Sequence, residues 1–253
     1  MKLFRERAQL TQAELGRRIG YGEDQVSSVE QGRRVPQPEF LDGADEVLGA
    51  FGVLAAAKEE VGKAGIPAFF RDVAKFETHA VEYHSYQNQV VSGLLQTEDY
   101  ARAIFKMQRP LLDEETIEQR VSARLARQEL LTRWPAPILS FVTEEVVLRR
   151  PYGGKEVLRG QLQRLLHIGE MRNVEFQVMP TDIEDHAGAG GPLILLEPKG
   201  RPMMAYAEVQ NVGTLLTNRK AVRQIEQRYG IIRAQALRPR ESLELIEKLL
   251  GDT

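Results

Sequence analysis

The strongest constraint on the fold begins at Thr11, where two short helices are predicted with a glycine turn between them. Thr11 is followed three residues later by Glu14, a spacing that lets each side chain accept a hydrogen bond from the other residue's amide at a helix start. Leu15 and Ile19 then recur at helical spacing. Gly20-Tyr21-Gly22 is expected to end this helix, because glycine takes a positive φ without steric cost.

The second predicted helix places Val26 and Val29 one turn apart, so both can face the first helix. The residues expected to point outward are short, polar and hydrogen-bonding: Glu23, Asp24, Gln25, Ser27 and Ser28. Gly32 is expected to end this helix, which leaves Arg33 and Arg34 where DNA phosphates would run. Two helices joined by a tight turn, the second with a polar outer face, are typical of a helix-turn-helix that reads the major groove.

The sequence around these helices resembles the lambda-repressor-like, or xenobiotic-response-element type, helix-turn-helix regulators. The matching residues are Leu3, Arg5, Leu10, Thr11, Gln12, Glu14, Leu15, Ile19, Gly20, Val26, Ser27, Val29, Glu30, Gly32, Arg34 and Pro36. The resemblance implies that Gln12 binds a phosphate and braces the recognition helix, and that Glu23, Asp24 and Ser28 meet base edges. Some domains of this kind bind protein, so a protein partner stays open as an alternative.

The residues predicted to contact DNA are Gln12, Arg17, Glu23, Asp24, Gln25, Ser27, Ser28, Arg33 and Arg34. The resemblance implies that Arg5 and Glu30 pair with each other, which makes them structural. The sequence departs from the family at Glu23 and Asp24, where Ser, Thr, Gln, Asn or Arg is usual. Two interpretations stay open: the carboxylates favour the helix through its dipole, or one of them accepts a hydrogen bond from cytosine N4.

Length and composition allow two domains without disulfides. The 253 residues can bury a sizeable core, and the lack of cysteine excludes a thiol nucleophile and cysteine-based zinc sites. No apolar run reaches the length of a membrane span, so a soluble, cytoplasmic, nucleoid-associated protein is expected. Residues 1–35 hold seven cationic and five acidic side chains, a surplus of +2. One copy should therefore bind DNA weakly, and a homodimer on two half-sites is expected.

The predicted domains are a helix-turn-helix DNA-binding domain at 1–51, a helical linker at 52–67, and a regulatory or partner-binding domain at 68–253. In the first domain, Met1–Gln9 and Pro38–Phe51 are predicted as further helices. Leu3 and Phe4 are expected to point inward. Ala55–Lys63 favours a helix by its composition.

The second domain mixes helical patterns with short apolar or alternating runs. The predicted strands are Ala80–Tyr86, Pro137–Thr143, Val174–Met179, Leu193–Leu196, Met203–Val209 and Gly213–Leu216. The predicted helices, besides one that starts at Thr97, are Ala68–Thr78, Asp113–Thr132, Glu144–Arg149, Glu156–Met171, Lys220–Gln235 and Arg240–Leu250. The fold class is therefore α+β overall: an all-α helix-turn-helix domain followed by an α+β domain with a small mixed or antiparallel sheet.

The run VVSGLLQTEDYARA, from Val90 to Ala103, is similar to the signature of the actinobacterial WhiJ-like regulators, which join the same helix-turn-helix to a C-terminal domain of unknown function. We refer to this run as the signature segment; Ser92 stands where the family usually has proline. Further matches lie at Arg149–Gly154, Asn173–Pro180 and Gly191–Pro192. The resemblance implies a role in development or secondary metabolism and a small acidic partner protein encoded nearby.

The physical interpretation of the signature segment is structural. Thr97 is a suitable N-cap for a helix docked on a sheet, and the side chains expected to be buried are Tyr100, Ala103, Ile104 and Met107. The next helix, Asp113–Thr132, carries a basic flank of Arg120, Arg124, Arg127 and Arg133. This flank is expected to be a solvated face, and the alternative is a grip on DNA or on an acidic partner.

No catalytic, metal or cofactor site is predicted. Gly188–Gly191 lacks the lysine of a phosphate-binding loop and leads into a strand, so a flexible loop is expected that could form the lip of a pocket. No metal-ligand spacing relates the four histidines, His79, His84, His167 and His186. His186 could act as an acid/base group, but a solvated acidic loop is favoured because of its neighbours Asp182, Glu184 and Asp185.

Three hypotheses follow. The preferred one is a sequence-specific DNA-binding transcription regulator, expected to act as a repressor, that binds a double-stranded operator as a homodimer and senses a signal or partner protein through its C-terminal domain. The alternative is the DNA-binding component of a toxin-antitoxin-like pair with a small neighbouring protein. The third, an enzyme with an appended DNA-binding domain, is the weakest, and no enzymatic activity is expected.

Overall fold

The computed structural model describes residues 1–31, 36–58, 61, 70–210 and 212–251. The backbone divides into two compact units, Met1–Gly65 and Ile66–Thr253. Three predicted features lie partly outside the described residues: the linker at 52–67, the end of the helix at Ala55–Lys63, and the start of the helix at Ala68–Thr78. Each unit is described by itself.

The N-terminal unit is helical. Over the described residues its helices are α1 (Lys2–Arg7), α2 (Gln12–Ile19), α3 (Glu23–Glu30), α4 (Pro38–Leu48) and α5 (Val53–Ala56). They enclose one small core of buried side chains: Leu15, Val26, Phe40, Ala44, Leu48, Ala50 and Leu54. Because α5 contributes Leu54 to this core, the residues directly after α4 pack with the helix-turn-helix.

Two details of this unit differ from the sequence prediction. Leu3 was expected inside, yet it is 76% exposed, while Phe4 packs against the core. Consecutive helical residues point about 100° apart, and of these two only Phe4 faces the core. The helix predicted to reach Phe51 ends at Leu48, because Gly49 adopts the left-handed conformation, and Phe51 is 98% exposed.

The C-terminal unit contains a six-stranded mixed sheet in the order β3-β2-β1-β4-β5-β6. The strands are β1 (Ala80–Gln87), β2 (Ile138–Glu144), β3 (Val174–Met179), β4 (Leu193–Pro198), β5 (Met204–Val209) and β6 (Val212–Leu216). β1, β2 and β3 are parallel, and β4, β5 and β6 continue the sheet through antiparallel pairs. The predicted α+β fold class is confirmed, and the sheet is mixed.

The helices of this unit are α6 (Arg71–Glu77), α7 (Glu98–Lys106), α8 (Glu114–Arg127), α9 (Glu145–Arg149), α10 (Lys155–Gly169), α11 (Arg219–Gln235) and α12 (Pro239–Gly251). Side chains from α7, α10 and α12 pack with Tyr83 of β1 and Phe141 of β2 on one face of the sheet. Side chains from α11 pack with Tyr86 of β1 and Val142 of β2 on the other face. The sheet is thus covered on both sides.

Several predicted boundaries and burials in this unit change. The helix expected over Asp113–Thr132 ends at Arg127 and continues as a 3-10 turn, Gln128–Leu131. Met107 was expected to be buried, but it lies just past the end of α7 and is 44% exposed. Phe105 takes the inward place, because it shares the α7–α8 contact with Ile117 and Val121.

Candidate nucleic-acid interface

A buried network of charged and amide groups fixes α3 against α1 and α2. Arg5 Nε and Nη2 donate to Glu30 Oε1 and Oε2, each at 2.8 Å, and Gln12 Nε2 donates to Glu30 Oε2 at 2.8 Å. Arg5 Nη1 also donates to the carbonyl of Leu10 at 2.7 Å. Burial would raise the pKa of Glu30, but the hydrogen bonds from Arg5 and Gln12 outweigh burial and lower it. The end of α3 is therefore held at three points.

The start of α2 and the turn between α2 and α3 are formed by the residues that the sequence indicated. Thr11 Oγ1 accepts from the Glu14 amide at 3.1 Å, and Glu14 Oε2 accepts from the Thr11 amide at 2.7 Å, which completes the capping box. Gly20 ends α2 with a φ of 81°. Gly16, one turn earlier, leaves room for the carbonyl of Tyr21, since an added Cβ would lie 2.5 Å from that oxygen.

The outer face of α3 carries the predicted base-contacting residues. Glu23 and Asp24 are exposed, whereas Ser27 and Ser28 are half-buried. Gln25 Oε1 accepts from the Gly22 amide at 3.1 Å, so this side chain folds back over the start of the helix. A base contact that used both ends of the Gln25 amide would have to share or break that bond.

The remaining predicted DNA contacts are distributed differently. Gln12 lies beside Glu30 and braces α3, and Arg17 is exposed on α2. Ser27 Oγ accepts from Gln31 Nε2 at 3.0 Å, one turn further along. The predicted helix end at Gly32 and the predicted phosphate contacts of Arg33 and Arg34 lie outside the described residues.

The basic flank predicted on the Asp113–Thr132 helix is not a solvated face, because its arginines bond within the unit. Arg127 donates from Nε and Nη2 to Glu77 at 2.7 and 2.9 Å. Arg124 Nη1 donates to Gln96 Oε1 at 2.7 Å, its guanidinium lies 4.2 Å from the centre of the Phe105 ring, and burial lowers its pKa to about 9. The other two flank residues also bond within the unit: Arg120 to the side chain of Gln108, and Arg133 to the carbonyls of Thr78 and Ala80.

Glutamine side chains hold the signature segment in place. Gln161 of α10 accepts from the Thr97 amide at 2.8 Å and donates to the carbonyl of Leu95 at 2.9 Å. Gln128 donates to the carbonyl of Gln96 at 2.7 Å, and the Gln96 side chain donates to the carbonyl of Val91 at 2.6 Å. These contacts satisfy buried polar groups of the backbone, so the segment has a structural role in this unit.

His186 pairs with a residue that its sequence neighbours did not indicate. Its Nε2 lies 2.6 Å from Glu144 Oε1 at the end of β2, and Tyr86 donates its hydroxyl to the same oxygen at 2.7 Å. The Gly188 amide donates to His186 Nδ1 at 2.7 Å, which makes Nε2 the protonated nitrogen. Both ring nitrogens are thus engaged, and the contacts pin the Gly188–Gly191 segment, a 3-10 turn over Ala187–Gly190, to the sheet.

The described ranges hold neither a metal-binding cluster nor a membrane-spanning helix. Across the described ranges, no group of three or more histidine, aspartate or glutamate side chains is placed to hold a metal ion. Within the same ranges, no helix combines the length and apolar character needed to cross a bilayer.

Comparison with known families assigns both halves of the chain. A helix-turn-helix domain model matches residues 1–57, and a model described as a domain of unknown function (DUF5753) matches residues 70–248. No curated protein and no solved structure matches the chain. The helix-turn-helix assignment made from the sequence is confirmed, and the narrower WhiJ-like assignment stays a prediction.

Proposed function

Because the chain belongs to the family that carries the domain of unknown function DUF5753, and has a helix-turn-helix domain before it, we propose that it is a sequence-specific DNA-binding transcription regulator. In this proposal α3 is the recognition helix and enters the major groove. The chain binds its operator as a homodimer, and the C-terminal unit receives a signal or a partner protein. No enzymatic step is part of the proposal.

The observation that carries this proposal is the contrast between the two sides of α3. On the inner side Val26 is fully buried, and Glu30 is clamped by Arg5 and Gln12. On the outer side the exposed residues at the start of the helix are polar. A helix that is rigid on one side and polar on the other can present its side chains to base edges without first paying an ordering cost.

The chemistry of the outer face suggests what it reads. Ser27 and Ser28 can donate or accept, so they suit several bases. Asp24 or Glu23 can accept from the N4 amino group of cytosine. Both carboxylates repel phosphates, and the surplus of positive charge over residues 1–35 is only +2. Two copies on two half-sites would compensate for this weak attraction.

Binding to a random duplex library tests the proposal. The full chain should select one sequence, and the complex should weaken steeply with salt. Ser28→Ala should reduce affinity for the selected duplex by about 10-fold or more, as expected for a lost base contact. The control Glu46→Gln, exposed on α4, should bind as the wild type does. Failure to enrich any sequence at low salt would overturn the proposal.

Asp24→Asn separates the two interpretations of the acidic helix start. If Asp24 accepts from cytosine, the variant should lose affinity for the selected duplex and change the base preferred at one position. If Asp24 acts only on the helix dipole, the variant should keep the base preference and lose a little thermal stability. A repeat of the library selection with the variant measures both outcomes.

The finer parts of the proposal need their own tests. Sedimentation of the full chain with a duplex carrying one or two copies of the selected sequence would give the stoichiometry of the complex. The small acidic partner and the toxin-antitoxin-like alternative rest on the family resemblance alone, and both stay predictions.

A further inference from the structure

Helix α11 of the C-terminal unit concentrates positive charge. It holds five cationic side chains and one acidic side chain, a net charge of +4, so the other residues of the chain together carry −6. From the sequence, this stretch was predicted only as a helix, Lys220–Gln235. Its charge is larger than the +2 of the first 35 residues, where DNA contacts were predicted.

Four of these cations are exposed, and we call them the basic face: Arg219, Lys220, Arg223 and Arg228. The first three lie within about 100° of one another around the helix axis, and Arg228 lies further round. Among the described residues, no carboxylate lies within ion-pair distance of any of the four. Three arginines elsewhere in the same unit do have such partners: Arg102, Arg127 and Arg149. The charge of the basic face is therefore not neutralised by an ion pair within the described residues.

The positions of these charges cost stability when nothing is bound. Arg219 and Lys220 occupy the first turn of α11, where the helix dipole favours anions, and no acidic residue is present there. Arg219 and Arg223 are also like charges four residues apart, which repel on one helix surface. By contrast, α7, α8, α10 and α12 each begin with at least one carboxylate. A bound anion would remove both penalties.

The helix beneath the basic face is firmly anchored. Val222, Tyr229 and Ile232 are buried against the sheet. The Tyr229 hydroxyl contacts both the carbonyl oxygen and Oγ of Ser140 in strand β2, at 3.0 and 2.9 Å. Because this attachment fixes the helix backbone, binding would have to order only the side chains of the cations.

We propose that the basic face binds the phosphate backbone of double-stranded DNA. This inference rests on the proposed function, and it gives the C-terminal unit a sequence-independent share of DNA affinity. Phosphate contacts position a protein and supply affinity, whereas base contacts specify the sequence. The two units would divide these tasks.

The composition of the surface favours DNA over a protein or a membrane. Protein interfaces are depleted of charge at their core and enriched in aromatic residues, whereas DNA interfaces are polar and strongly basic. The exposed side of α11 has no aromatic residue, and Ile231, at 53% exposure, is its main apolar contribution. Beyond the cations, the exposed positions Gly230 and Ala234 have little or no side chain, which would allow a close approach of the duplex.

The test uses the full chain with Arg219→Gln, Lys220→Gln and Arg223→Gln combined, which leaves Arg228 beside Gly190 in place. Affinity for a duplex of scrambled sequence is measured by fluorescence anisotropy over a range of salt concentrations. Each lost phosphate contact should reduce the slope of log K against log salt by about 0.9, so the triple variant should lose about 2.7. Circular dichroism should show an unchanged fold, because all three side chains are exposed.

The matched control removes the same charge from the opposite side of the sheet, by Lys155→Gln, Arg159→Gln and Lys248→Gln on α10 and α12. The control should keep the wild-type salt slope. An unchanged slope in the basic-face variant, or an equal decrease in the control, would overturn the inference. So would wild-type binding of poly-glutamate as tight as that of DNA, since the basic face would then recognise acidic chains in general.

The same measurements distinguish this inference from the proposed function. Ser28→Ala should lower affinity for the selected duplex while leaving binding to the scrambled duplex unchanged. The basic-face variant should lower both affinities by a similar factor. If no sequence is selected but the scrambled-duplex slope still depends on the basic face, the reader role of α3 fails and the phosphate contact stands.

Discussion

Arg127 of α8 and Glu77 of α6 form a two-point ion pair inside the C-terminal unit. The Nε–Oε1 and Nη2–Oε2 distances are 2.7 and 2.9 Å, and the side chains are 14% and 2% exposed. The guanidinium also lies 4.3 Å from the centre of the Phe70 ring. The pair joins α6, which precedes β1, to α8, which lies between β1 and β2 in the chain.

Removing the negative partner of this pair should be costly. Glu77→Gln leaves the Arg127 charge buried without a counter-ion, so we expect the free energy of unfolding to fall by about 3 kcal/mol. Urea denaturation of the full chain, followed by circular dichroism, measures the loss. Glu98→Gln is the control, because Glu98 pairs with Arg102 at the surface and should contribute less than about 1 kcal/mol. Equal losses in the two variants would contradict the prediction.

The ion pair shows where sequence reasoning reaches its limit. A basic flank at helical spacing is usually solvated, and nothing near Arg127 in the sequence marks Glu77, fifty positions away, as its partner. For the same reason the sequence did not predict the contact between His186 and Glu144, since the carboxylate lies at the end of the distant strand β2. Both pairings are made by tertiary packing, which local patterns do not encode.

The helix-capping and strand patterns of the sequence, by contrast, predicted the structure correctly. The capping box at Thr11 and the N-cap at Thr97 depend on residues three positions apart, and both form as predicted. The strands of the mixed sheet were located from alternating or apolar runs, with ends displaced by only a few residues. The charge on α11 was also visible in the sequence, but its exposure and its lack of ion pairs among the described residues required the structure.

Acid should weaken the N-terminal unit through Glu30. Hydrogen bonds from Arg5 and Gln12 hold its pKa below the ordinary 4.5, so the folded chain binds this proton less readily than the unfolded chain. The resulting stability is present above pH 4.5 and is lost as the pH falls through the lower folded pKa. The melting temperature of the unit should therefore fall over this pH range. The methyl signals of Leu15 and Val26 would report it.

The variant Glu30→Gln isolates this contribution from other carboxylates. It should melt lower than the wild type at neutral pH, and the difference between the two should shrink as the pH falls below 4.5. Glu46→Gln, on the exposed side of α4, should track the wild type throughout. A constant gap between Glu30→Gln and the wild type at every pH would show that Glu30 titrates alike in both states.

Gln161 should be needed for the signature segment. In Gln161→Ala the Thr97 amide and the Leu95 carbonyl lose their partner in a buried place, so a loss of about 2–3 kcal/mol is expected. Gln163→Ala, exposed on the same helix, should change stability by less than about 0.5 kcal/mol. Hydrogen exchange at the Thr97 amide provides a local readout, and it should speed up only in the first variant.

The stability change caused by Gly16→Ala should distinguish close packing from helix propensity, because the two effects have opposite signs. Propensity alone would make alanine better than glycine inside α2 by about 1 kcal/mol. The added Cβ, however, would lie 2.5 Å from the carbonyl oxygen of Tyr21, which is backbone of the turn between α2 and α3 and cannot rotate aside. Gly16→Ala should therefore lower the melting temperature and displace α3, with about a 10-fold rise in Kd for the selected duplex, because a base-reading helix tolerates little movement.

Gly160→Ala on α10 is the matched control for that change. Apart from the neighbouring backbone of its own helix, no atom lies within 4 Å of the Cβ that it would add, so this substitution should stabilise the chain by about 0.5–1 kcal/mol and leave DNA binding unchanged. Opposite signs for the two variants, measured by thermal unfolding and by anisotropy with the selected duplex, would establish that the α2–α3 turn is packed too closely for a methyl group. A stabilised Gly16→Ala variant with wild-type Kd would contradict the placement of that turn, and with it the rigid presentation of α3 on which the proposed reading of the groove depends.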